Sequence, residues 1–478
     1  MAATSETTRP ELSYPQFDKH FTEFVGVAAD GHLWVEGRDC VELAQTFGTP
    51  LYVLSEGQLR HNLRRFRSAF ESRYPTVEVL FANKSNNGLA VRHVVNQEGV
   101  GGDCFGINEL YLALLAGTDP KTLVLNGSNK SDEELEMAIQ NGVCINLDAL
   151  DELDRVNATA TRLGREAEIG IRAKLELKAL ETRFGAAAHG EGSLAEQGRN
   201  HKWGMPFEQT AEMVNRAREG MPNLKLKEIS YHLGRASNVP DDFAHMVREL
   251  IGWCARLRDE TGWTPPHVDI GGGWAWGRPE KTGPGGEDGA ATPSYDDFAA
   301  AACGAITDEC KKFDLAPPGL RIEPGRAISA SIGITLGRVG AVKEWPAYDK
   351  TWVNVDCSTN HLIRIPMAHW YHHIVAANKA AEPATKSATT VVGPLCSLDH
   401  LGEERALPAL ERGDLIALLD TGSYGESTAA NYNAQQRPAT VMVSGEDADV
   451  TTVRENRANV VGRYQVPPRL LASSFADG

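Results

Sequence analysis

Short β-rich apolar runs alternate with helical patterns from about residue 50 to residue 326, and this alternation restricts the fold more than any other feature of the sequence. The predicted strands lie at 77–83, 99–104, 122–126, 143–147, 167–173, 226–232, 267–270 and 319–323. Helical patterns lie at 108–116, 131–141, 150–163, 207–219, 241–261 and 295–313. One of them opens on Ser131 and Glu134, which have the spacing of a capping box. Eight strand–helix units in series predict a (β/α)8 barrel.

After Arg326 the pattern changes to β-rich segments without comparable helices, which predicts a second domain. Its predicted strands lie at 332–339, 351–355, 389–392, 414–419 and 440–443, and strand-like pieces at 32–35 and 50–54 are expected to join it. The predicted organisation is an α/β chain with an N-terminal segment at 1–48, a barrel at 49–326 and a β-rich domain at 327–478. Glycine-rich stretches at 185–198 and 277–292 are predicted to be mobile loops.

Charge and cysteine usage exclude several classes of function. With 48 basic and 64 acidic residues, the formal net charge of −16 argues against a nucleic acid or an anionic membrane as partner. No apolar stretch approaches the roughly 18 residues of a membrane span, and the N-terminus lacks a signal or transit pattern, so we expect a cytoplasmic protein. The eight cysteines show no Cys-x-x-Cys spacing, which argues against a zinc site or a disulfide framework.

Lys84 directly follows the first predicted barrel strand. Burial at the mouth of a core disfavours an ammonium group, so we expect a lowered pKa and an amine able to form a Schiff base. A surface lysine that ends a strand is the alternative for this segment taken alone.

Four further strand ends carry polar residues or glycines. Glu323 ends the eighth strand and needs a buried partner, which a protonated pyridine nitrogen would provide. Gly271–Gly273 follow the seventh strand, where barrels often bind a phosphate, although a tight turn is the alternative. His232 ends the sixth strand and is either a ring-stacking or a core histidine, while Asp103 and Glu109 flank the second strand end as site residues or helix caps. Together with Lys84, these are the parts of a pyridoxal phosphate site.

The residues also carry a family resemblance over about 28–445. The chain resembles the fold-type III pyridoxal phosphate enzymes that include diaminopimelate, ornithine and arginine decarboxylases, and the motif layout is most similar to that of diaminopimelate decarboxylases. The matching motifs begin at Gly48, Phe81, Gly102, Asn126, His232, Asp269, Glu323, Val355, Asn360, Gly393 and Gly422, in the family's order and spacing.

The resemblance implies a role for each matching residue. Lys84 would hold pyridoxal phosphate covalently, Glu323 would bind the pyridine nitrogen, and His232 would stack on the ring. The remaining cofactor-binding candidates are Asp103, Ser237, Gly271, Gly272, Gly273, Gly325 and Tyr424. The substrate-binding candidates are Arg326, Arg364, Tyr371 and Asp399, the arginines as carboxylate clamps. Cys396 would enter from the partner subunit of a homodimer and return a proton after carbon dioxide leaves.

Several departures from the family pattern concern the substrate. Ser397 stands where diaminopimelate decarboxylases carry a glutamate that reads the distal amino group, and Ala368 stands where a tyrosine is usual. Arg235 replaces a phosphate-contacting serine, for which Ser237 or Arg235 itself could compensate. Additional bulk comes from Trp274, Trp276, Trp370, His369, His372 and His373, and no metal site is predicted there.

The expected reaction is therefore the decarboxylation of an α-amino acid, with a different or modified substrate. Two substrate classes stay open: a diamino acid read by Asp399, and a carboxylate-rich or bulky substrate from secondary metabolism read by Arg235 and the histidines. The alternative reactions keep the carboxylate, as in a racemase, an epimerase or another lyase. A non-catalytic carrier of the cofactor is a third hypothesis, which the β-rich domain and Cys396 disfavour.

Overall fold

The computed structural model describes residues 24–183, 192–234, 239–275 and 293–471. The chain divides into two compact units. One comprises the described parts of Ser55–Gly333 together with Gly422–Ser427, and the other the described parts of Met1–Leu54, Ile334–Thr421 and Thr428–Gly478. The domain bounds drawn from the sequence, at 48/49 and 326/327, stay predictions.

The first described residues form a small antiparallel sheet and a capped helix. The sheet contains β1 (Val25–Val27), β2 (Leu33–Val35) and β3 (Arg38–Asp39). The next elements are helix α1 (Cys40–Phe47) and strand β4 (Leu51–Ser55). Asp39 caps α1 because its side chain accepts a hydrogen bond from the Val41 N–H.

Eight parallel strands close into a barrel, and their order around the ring is their order in the chain. They are β5 (Val77–Ala82), β6 (Gly101–Phe105), β7 (Leu123–Asn126), β8 (Cys144–Leu147), β9 (Ala167–Arg172), β10 (Leu224–Ser230), β11 (His267–Asp269) and β12 (Gly319–Ile322). All eight predicted strands are present, so the predicted (β/α)8 barrel is confirmed. Parallel strands covered by helices are buried on both faces, which is why they read as continuous apolar runs.

The helices of this unit follow the strands. They are α2 (Glu56–Glu71), α3 (Leu89–Gln97), α4 (Ile107–Leu115), α5 (Asp132–Asn141), α6 (Glu152–Leu163), α7 (Leu194–Asn200), α8 (Phe207–Gly220), α9 (Pro240–Thr261), α10 (Tyr295–Lys312) and α11 (Arg326–Ser329). The capping box of Ser131 and Glu134 is confirmed. The loop predicted at 185–198 is partly wrong, because α7 begins at Leu194 behind a second capping box. Residues 184–191 and 276–292, which include the whole of the other predicted loop, 277–292, lie outside the described part of the chain.

The second unit is built on a nine-stranded sheet. Its further strands are β13 (Gly333–Trp345), β14 (Lys350–Val355), β15 (Ile374–Ala376), β16 (Lys386–Val392), β17 (His400–Leu407), β18 (Leu415–Leu418), β19 (Ala439–Ser444) and β20 (Asp447–Thr452), with helices α12 (Arg364–Ala368), α13 (Arg457–Val461) and α14 (Pro468–Leu471). The main order is β17-β16-β14-β13-β4-β19-β20, and β18 pairs with β13 and β15. Because β4 lies inside this sheet, the prediction that N-terminal strands complete the β-rich domain is confirmed. Among the described residues, no helix is both long and apolar enough to cross a bilayer.

Candidate active site

Lys84 lies in a single 3-10 turn, Asn83–Ser85, directly after β5. The register between β5 and β6 places Ala82 beside Asp103. The Lys84 ammonium nitrogen lies 2.5 Å from Asp103 Oδ2 and 4.3 Å from the centre of the Phe105 ring. The Lys84 side chain is 33% exposed, whereas Asp103 is completely buried. The carboxyl end of the barrel therefore holds an accessible amine against a buried carboxylate.

A single amide links the two buried carboxylates of this site. Asn126 Nδ2 donates to Asp103 Oδ1 at 2.8 Å and to Glu323 Oε1 at 2.6 Å. Asn146 Nδ2 in turn donates to Asn126 Oδ1 at 3.0 Å, which fixes the orientation of the bridging amide. Glu323 is buried, so without such a donor its carboxylate would lose hydration without compensation. Asn126 and Asn146 were not predicted from the sequence as site residues, although each ends or nearly ends a barrel strand.

The charges around Lys84 overturn one expectation. Burial alone would lower the pKa of Lys84, but Asp103, Glu323 and Tyr424 raise it above its ordinary value. The prediction of a lowered pKa is therefore wrong for the cofactor-free protein, because opposite charges outweigh desolvation. Lys84 is an ammonium group here.

Two glutamates near the site have raised pKa values. Burial, followed by repulsion from Asp103, raises the pKa of Glu323 to about 7, although Lys84 and Arg172 act to lower it. Burial also raises the pKa of Glu109 to about 7, against the hydrogen bond that its Oε2 accepts from the Phe105 N–H at 2.7 Å. Both carboxyl groups therefore change protonation near neutral pH, as catalytic sites often require.

The glycines after β11 leave no space for a side chain. A Cβ on Gly271 would lie 2.6 Å from His232 Nδ1, and one on Gly272 would lie 2.4 Å from the Glu323 carbonyl oxygen. Gly271 also has φ +68°, in the region that favours glycine. The loop is therefore packed between the ends of β10 and β12, as a close cradle for a ligand requires.

Hydrogen bonds within the protein already use two peptide N–H groups of this loop. The Gly271 N–H donates to Asp269 Oδ1 at 2.8 Å, and the Gly272 N–H donates to His232 Nδ1 at 2.7 Å. The loop therefore also holds the His232 ring, and its role in binding a phosphate stays a prediction. Because Nδ1 accepts, the neutral ring carries its hydrogen on Nε2.

A short late segment, Gly422–Ser427, is bound to the chain around Lys84. The Ser427 hydroxyl donates to the Lys84 carbonyl oxygen at 3.0 Å, and the Tyr424 N–H donates to the Ser85 carbonyl oxygen at 2.7 Å. Asn86 Nδ2 donates to the Gly422 carbonyl oxygen at 2.9 Å. Tyr424 has φ +55°, an uncommon conformation for a tyrosine. The candidate Tyr424 is thus placed beside the candidate Lys84.

Three further residues lie at or just after the ends of barrel strands: Gly325, Arg326 and Arg172. A Cβ on Gly325 would lie 3.1 Å from the Cβ atoms of Ala82 and Ser85, so the turn after β12 packs directly on the turn of Lys84. Arg326 begins α11 and is partly buried. Arg172 was missed in the sequence, although a buried arginine that ends a barrel strand is as unusual as Glu323.

Cys396 lies in the second unit and is exposed. The other seven cysteines of the chain are buried. Cys396 Sγ lies 3.1 Å from the Tyr432 hydroxyl and 3.5 Å from Asn433 Nδ2. Asn433 Oδ1 also accepts from the Cys396 N–H at 3.2 Å. The hydrogen bonds from Tyr432 and Asn433 lower the pKa of Cys396. Neither contact was predicted from the sequence.

Asp399 faces inward and holds its own loop. Its Oδ1 accepts from the Thr359 N–H and hydroxyl, both at 2.7 Å, and its Oδ2 accepts from the Leu395 N–H at 2.9 Å. The residue is buried. Both oxygens of Asp399 are thus used by donors of the protein, and its role in reading the substrate stays a prediction.

Arg364 lies at the start of α12, and Tyr371 follows the end of this helix. Arg364 is the first residue of this helix and is partly buried. The Tyr371 ring lies 3.9 Å from the guanidinium carbon of Arg405 and contacts the His373 ring edge to face. His372 is buried, and its ring hydrogen-bonds the Leu419 carbonyl oxygen at 2.8 Å. Two of the three clustered histidines are thus core residues of this unit.

Two candidates cannot be placed. Arg235 and Ser237 lie outside the described residues, as does Trp276. Trp274 is described and is buried in an aromatic cluster, stacked on Phe243 at 4.3 Å between ring centres. The Trp274 side chain is therefore part of the core.

Comparisons with known proteins agree with this geometry. Residues 56–330 match the family model for the pyridoxal binding domain of pyridoxal-dependent decarboxylases. The chain belongs to this family. The diaminopimelate decarboxylases of Methanothermobacter thermautotrophicus and Archaeoglobus fulgidus are 33% and 35% identical, over 92% and 93% of this chain and 97% and 99% of theirs. The crystal structure of the M. jannaschii diaminopimelate decarboxylase superposes with a TM-score of 0.83 at 30% identity, over 94% of this chain and 99% of that one.

Family membership makes the chain a pyridoxal phosphate-dependent amino acid decarboxylase, and the relatives favour this reaction over racemisation or epimerisation. The predicted fold, reaction class and cofactor are confirmed.

The barrel residues fit the cofactor. Lys84 offers an amine, the Gly271–Gly272 turn excludes any side chain, and Glu323 is a buried carboxylate bound by the neutral donor Asn126. A pyridine N–H would give Glu323 the charged partner that a buried carboxylate requires.

Proposed function

We propose that this decarboxylase holds pyridoxal phosphate on Lys84 and acts on an α-amino acid whose distal end is not a free ammonium group. The observation that carries the cofactor assignment is the placement of Lys84 on Asp103, with Glu323 linked to the same carboxylate through Asn126. His232 would stack on the face of the cofactor ring, because the hydrogen bond from the Gly272 N–H fixes the orientation of its imidazole.

When bound, pyridoxal phosphate supplies an aldehyde for the amino group and a protonated ring that accepts the electron pair released as carbon dioxide leaves. Glu323 would pair as a carboxylate with the protonated pyridine nitrogen, and this cationic partner would offset the burial and the repulsion from Asp103 that raise the pKa of its carboxyl. Asp103 would hold the Lys84 amine toward the reacting centre. Tyr424 and Gly325 would contribute to the phosphate site, with the Gly273 peptide as the member of the glycine loop not used by Asp269 or His232.

Arginine side chains are the proposed carboxylate clamps, because a guanidinium group pairs with a carboxylate through two parallel hydrogen bonds. Arg326 and Arg364 are the two residues proposed for this contact. Cys396 would return the proton, supported by its exposure and by the two donors that favour its thiolate.

The substrate proposal rests on the Cys396 loop. This loop is the segment 396–399, in which Ser397 and Leu398 are exposed and uncharged. Its only carboxylate, Asp399, is buried and accepts hydrogen bonds from Thr359 and Leu395. A free distal ammonium would therefore find no carboxylate in this loop. Diaminopimelate itself is the second candidate, because the relatives that cover nearly the whole chain carry its name.

A substrate panel tests this proposal. The purified enzyme with pyridoxal phosphate is given diaminopimelate, its mono-N-acylated form, lysine, ornithine and 2-aminoadipate in heavy water. We expect release of carbon dioxide and an amine with one deuterium at the reacting carbon, with the best kcat/KM for a substrate without a free distal ammonium. A preference of about 100-fold or more for unmodified diaminopimelate, some 2.7 kcal/mol, would reject the substrate proposal alone. Exchange of the α-hydrogen without loss of carbon dioxide would reject the reaction.

We also propose a homodimer in the cytoplasm, in which each Cys396 serves the barrel site of the other subunit. The exposure of Cys396 and Leu398 supports a surface that is covered by a second copy. The free thiols of eight cysteines suit a reducing compartment. Mixing a Lys84→Ala protein with a Cys396→Ala protein tests the sharing, because hybrid dimers would regain one complete site, whereas no recovery would reject it.

A further inference from the structure

Tyr432 and Asn433 surround the one exposed thiol of the chain. Three contacts join these two residues to Cys396: the hydroxyl at 3.1 Å, the amide nitrogen at 3.5 Å, and the amide oxygen that accepts from the Cys396 N–H at 3.2 Å. Asn433 thus holds both the backbone and the sulfur of Cys396. The thiol position is set from a different loop, 36 and 37 residues further along the chain.

The conformation of that second loop is uncommon. Asn433 has φ +56° and the next residue, Ala434, has φ +55°, a region that residues with a Cβ rarely adopt. Asparagine tolerates this conformation better than most residues. The neighbouring residue Asn431 fixes the loop further, because its Nδ2 donates to the Gln435 carbonyl oxygen at 2.8 Å and to Glu455 at 2.6 Å. The loop is thus tied on both sides of Tyr432 and Asn433.

The groups that face the thiol are neutral. Two carboxylates of the same loop regions bind other groups: Asp399 accepts from Thr359 and Leu395, and Glu455 accepts from Asn431 and Arg437. Hydrogen bonds to the sulfur lower the pKa of Cys396, and the same contact raises the pKa of Tyr432. Both directions agree with a Tyr432 hydroxyl that donates to a thiolate.

We propose that Tyr432 and Asn433 are positioning residues that orient Cys396 and stabilise its thiolate form. This inference rests on the proposed role of Cys396 as the proton donor, and it extends that role: a group that gives a proton and is then restored must be stable in both forms. A tyrosine hydroxyl can turn to accept from the thiol or to donate to the thiolate, so it serves both states.

Alkylation of the thiol tests the proposal without any amino acid substrate. The full-length enzyme with its cofactor is treated with iodoacetamide across a range of pH, and the rate is followed by the mass of the peptide that contains Cys396. The seven buried cysteines react slowly, and Cys396→Ala gives their background. The midpoint of the rate profile reports thiolate formation, whereas the plateau at high pH reports access.

Three variants separate positioning from access. For Tyr432→Phe we expect the midpoint to move to higher pH and the rate constant at pH 7 to fall about threefold, because a lost donor reduces the thiolate fraction more than it raises its nucleophilicity. Asn433→Asp keeps the acceptor for the Cys396 N–H but places a charge beside the sulfur, so its midpoint should move further. Tyr348→Phe, at an exposed tyrosine elsewhere in the same unit, should leave the profile unchanged.

Unchanged midpoints in both Tyr432→Phe and Asn433→Asp would overturn the proposal, and so would a change confined to the plateau. A shifted midpoint in a protein that decarboxylates none of the panel would leave the positioning role standing and count against the proposed function. Turnover with unshifted midpoints would show the reverse.

Discussion

The buried cluster at Lys84 and the exposed loop at Cys396 stabilise the charged form of a titratable group by different contacts. Each has to hold a titratable group ready to exchange a proton. The barrel does so by packing opposite charges around Lys84 and separating two carboxylates with one amide. The loop places neutral donors on a thiol that water reaches. A buried charge needs compensating charges, whereas an exposed group can be adjusted by hydrogen bonds alone.

The largest effect is expected from a substitution in the barrel site. Lys84→Ala should reduce kcat by about 10³-fold or more and abolish covalent binding of the cofactor, because no other amine replaces the one held by Asp103. Borohydride reduction followed by mass measurement of the peptide checks the attachment. Lys121→Ala, at an exposed lysine of the same unit, should behave as wild type. Retained attachment in Lys84→Ala would remove the residue from its proposed role.

Glu323→Gln should have the next largest effect, a fall of kcat of about 10²-fold. The amide keeps the size of the side chain and an acceptor for Asn126, but it cannot balance a charged ring nitrogen. Steady-state kinetics and the visible spectrum of the bound cofactor measure the change. Glu133→Gln, on the exposed face of α5, is the matched control, and equal activity in the two variants would contradict the assignment.

Asp399→Asn tests whether Asp399 stabilises the loop of Cys396 or binds the substrate. The carboxylate accepts from Thr359 and Leu395, so an amide that cannot accept on both sides should destabilise the protein by about 1–3 kcal/mol. Thermal unfolding should show a lower Tm while KM for the best substrate stays unchanged. A raised KM with an unchanged Tm would instead support Asp399 as a substrate-binding residue. Asp447→Asn, at an exposed position, is the control.

The smallest expected effect is a pH dependence in the barrel. The pKa of Glu109 is raised from 4.5 to about 7, so its contribution to stability is present below pH 4.5 and is lost as the pH rises through 7. Glu109→Gln keeps the acceptor for the Phe105 N–H without this penalty and should be more stable than wild type at pH 8 by about 1–2 kcal/mol. Thermal unfolding of the cofactor-free protein at pH 5 and pH 8 checks this. A difference independent of pH would show that Glu109 does not titrate near neutrality.

The barrel could be predicted because its signals are local. Each strand is a short apolar run, and a residue such as Lys84 or Glu323 is conspicuous where such a run ends. Helix α7 was missed because its apolar pattern is short and Gly192 precedes its Ser193 cap.

Side-chain partners could not be predicted, because they depend on pairs far apart in the chain. Asn126 is recognised as a site residue only through its contacts with Asp103 and Glu323. Cys396 was predicted, but its partners Tyr432 and Asn433 were not. The lowered pKa expected for Lys84 failed for the same reason: burial was visible in the sequence, but the neighbouring carboxylates were not.

The tie between Gly422–Ser427 and the Lys84 turn has a consequence for biosynthesis. Hydrogen bonds there join residues 336 and 343 positions apart, so the carbonyl oxygen of Lys84 finds its partner only after residue 427 has left the ribosome. A nascent chain that ends near residue 330 would have all eight barrel strands but an incomplete site. Contacts between residues so far apart in the chain form late, so we expect the site to be completed in the last stage of folding.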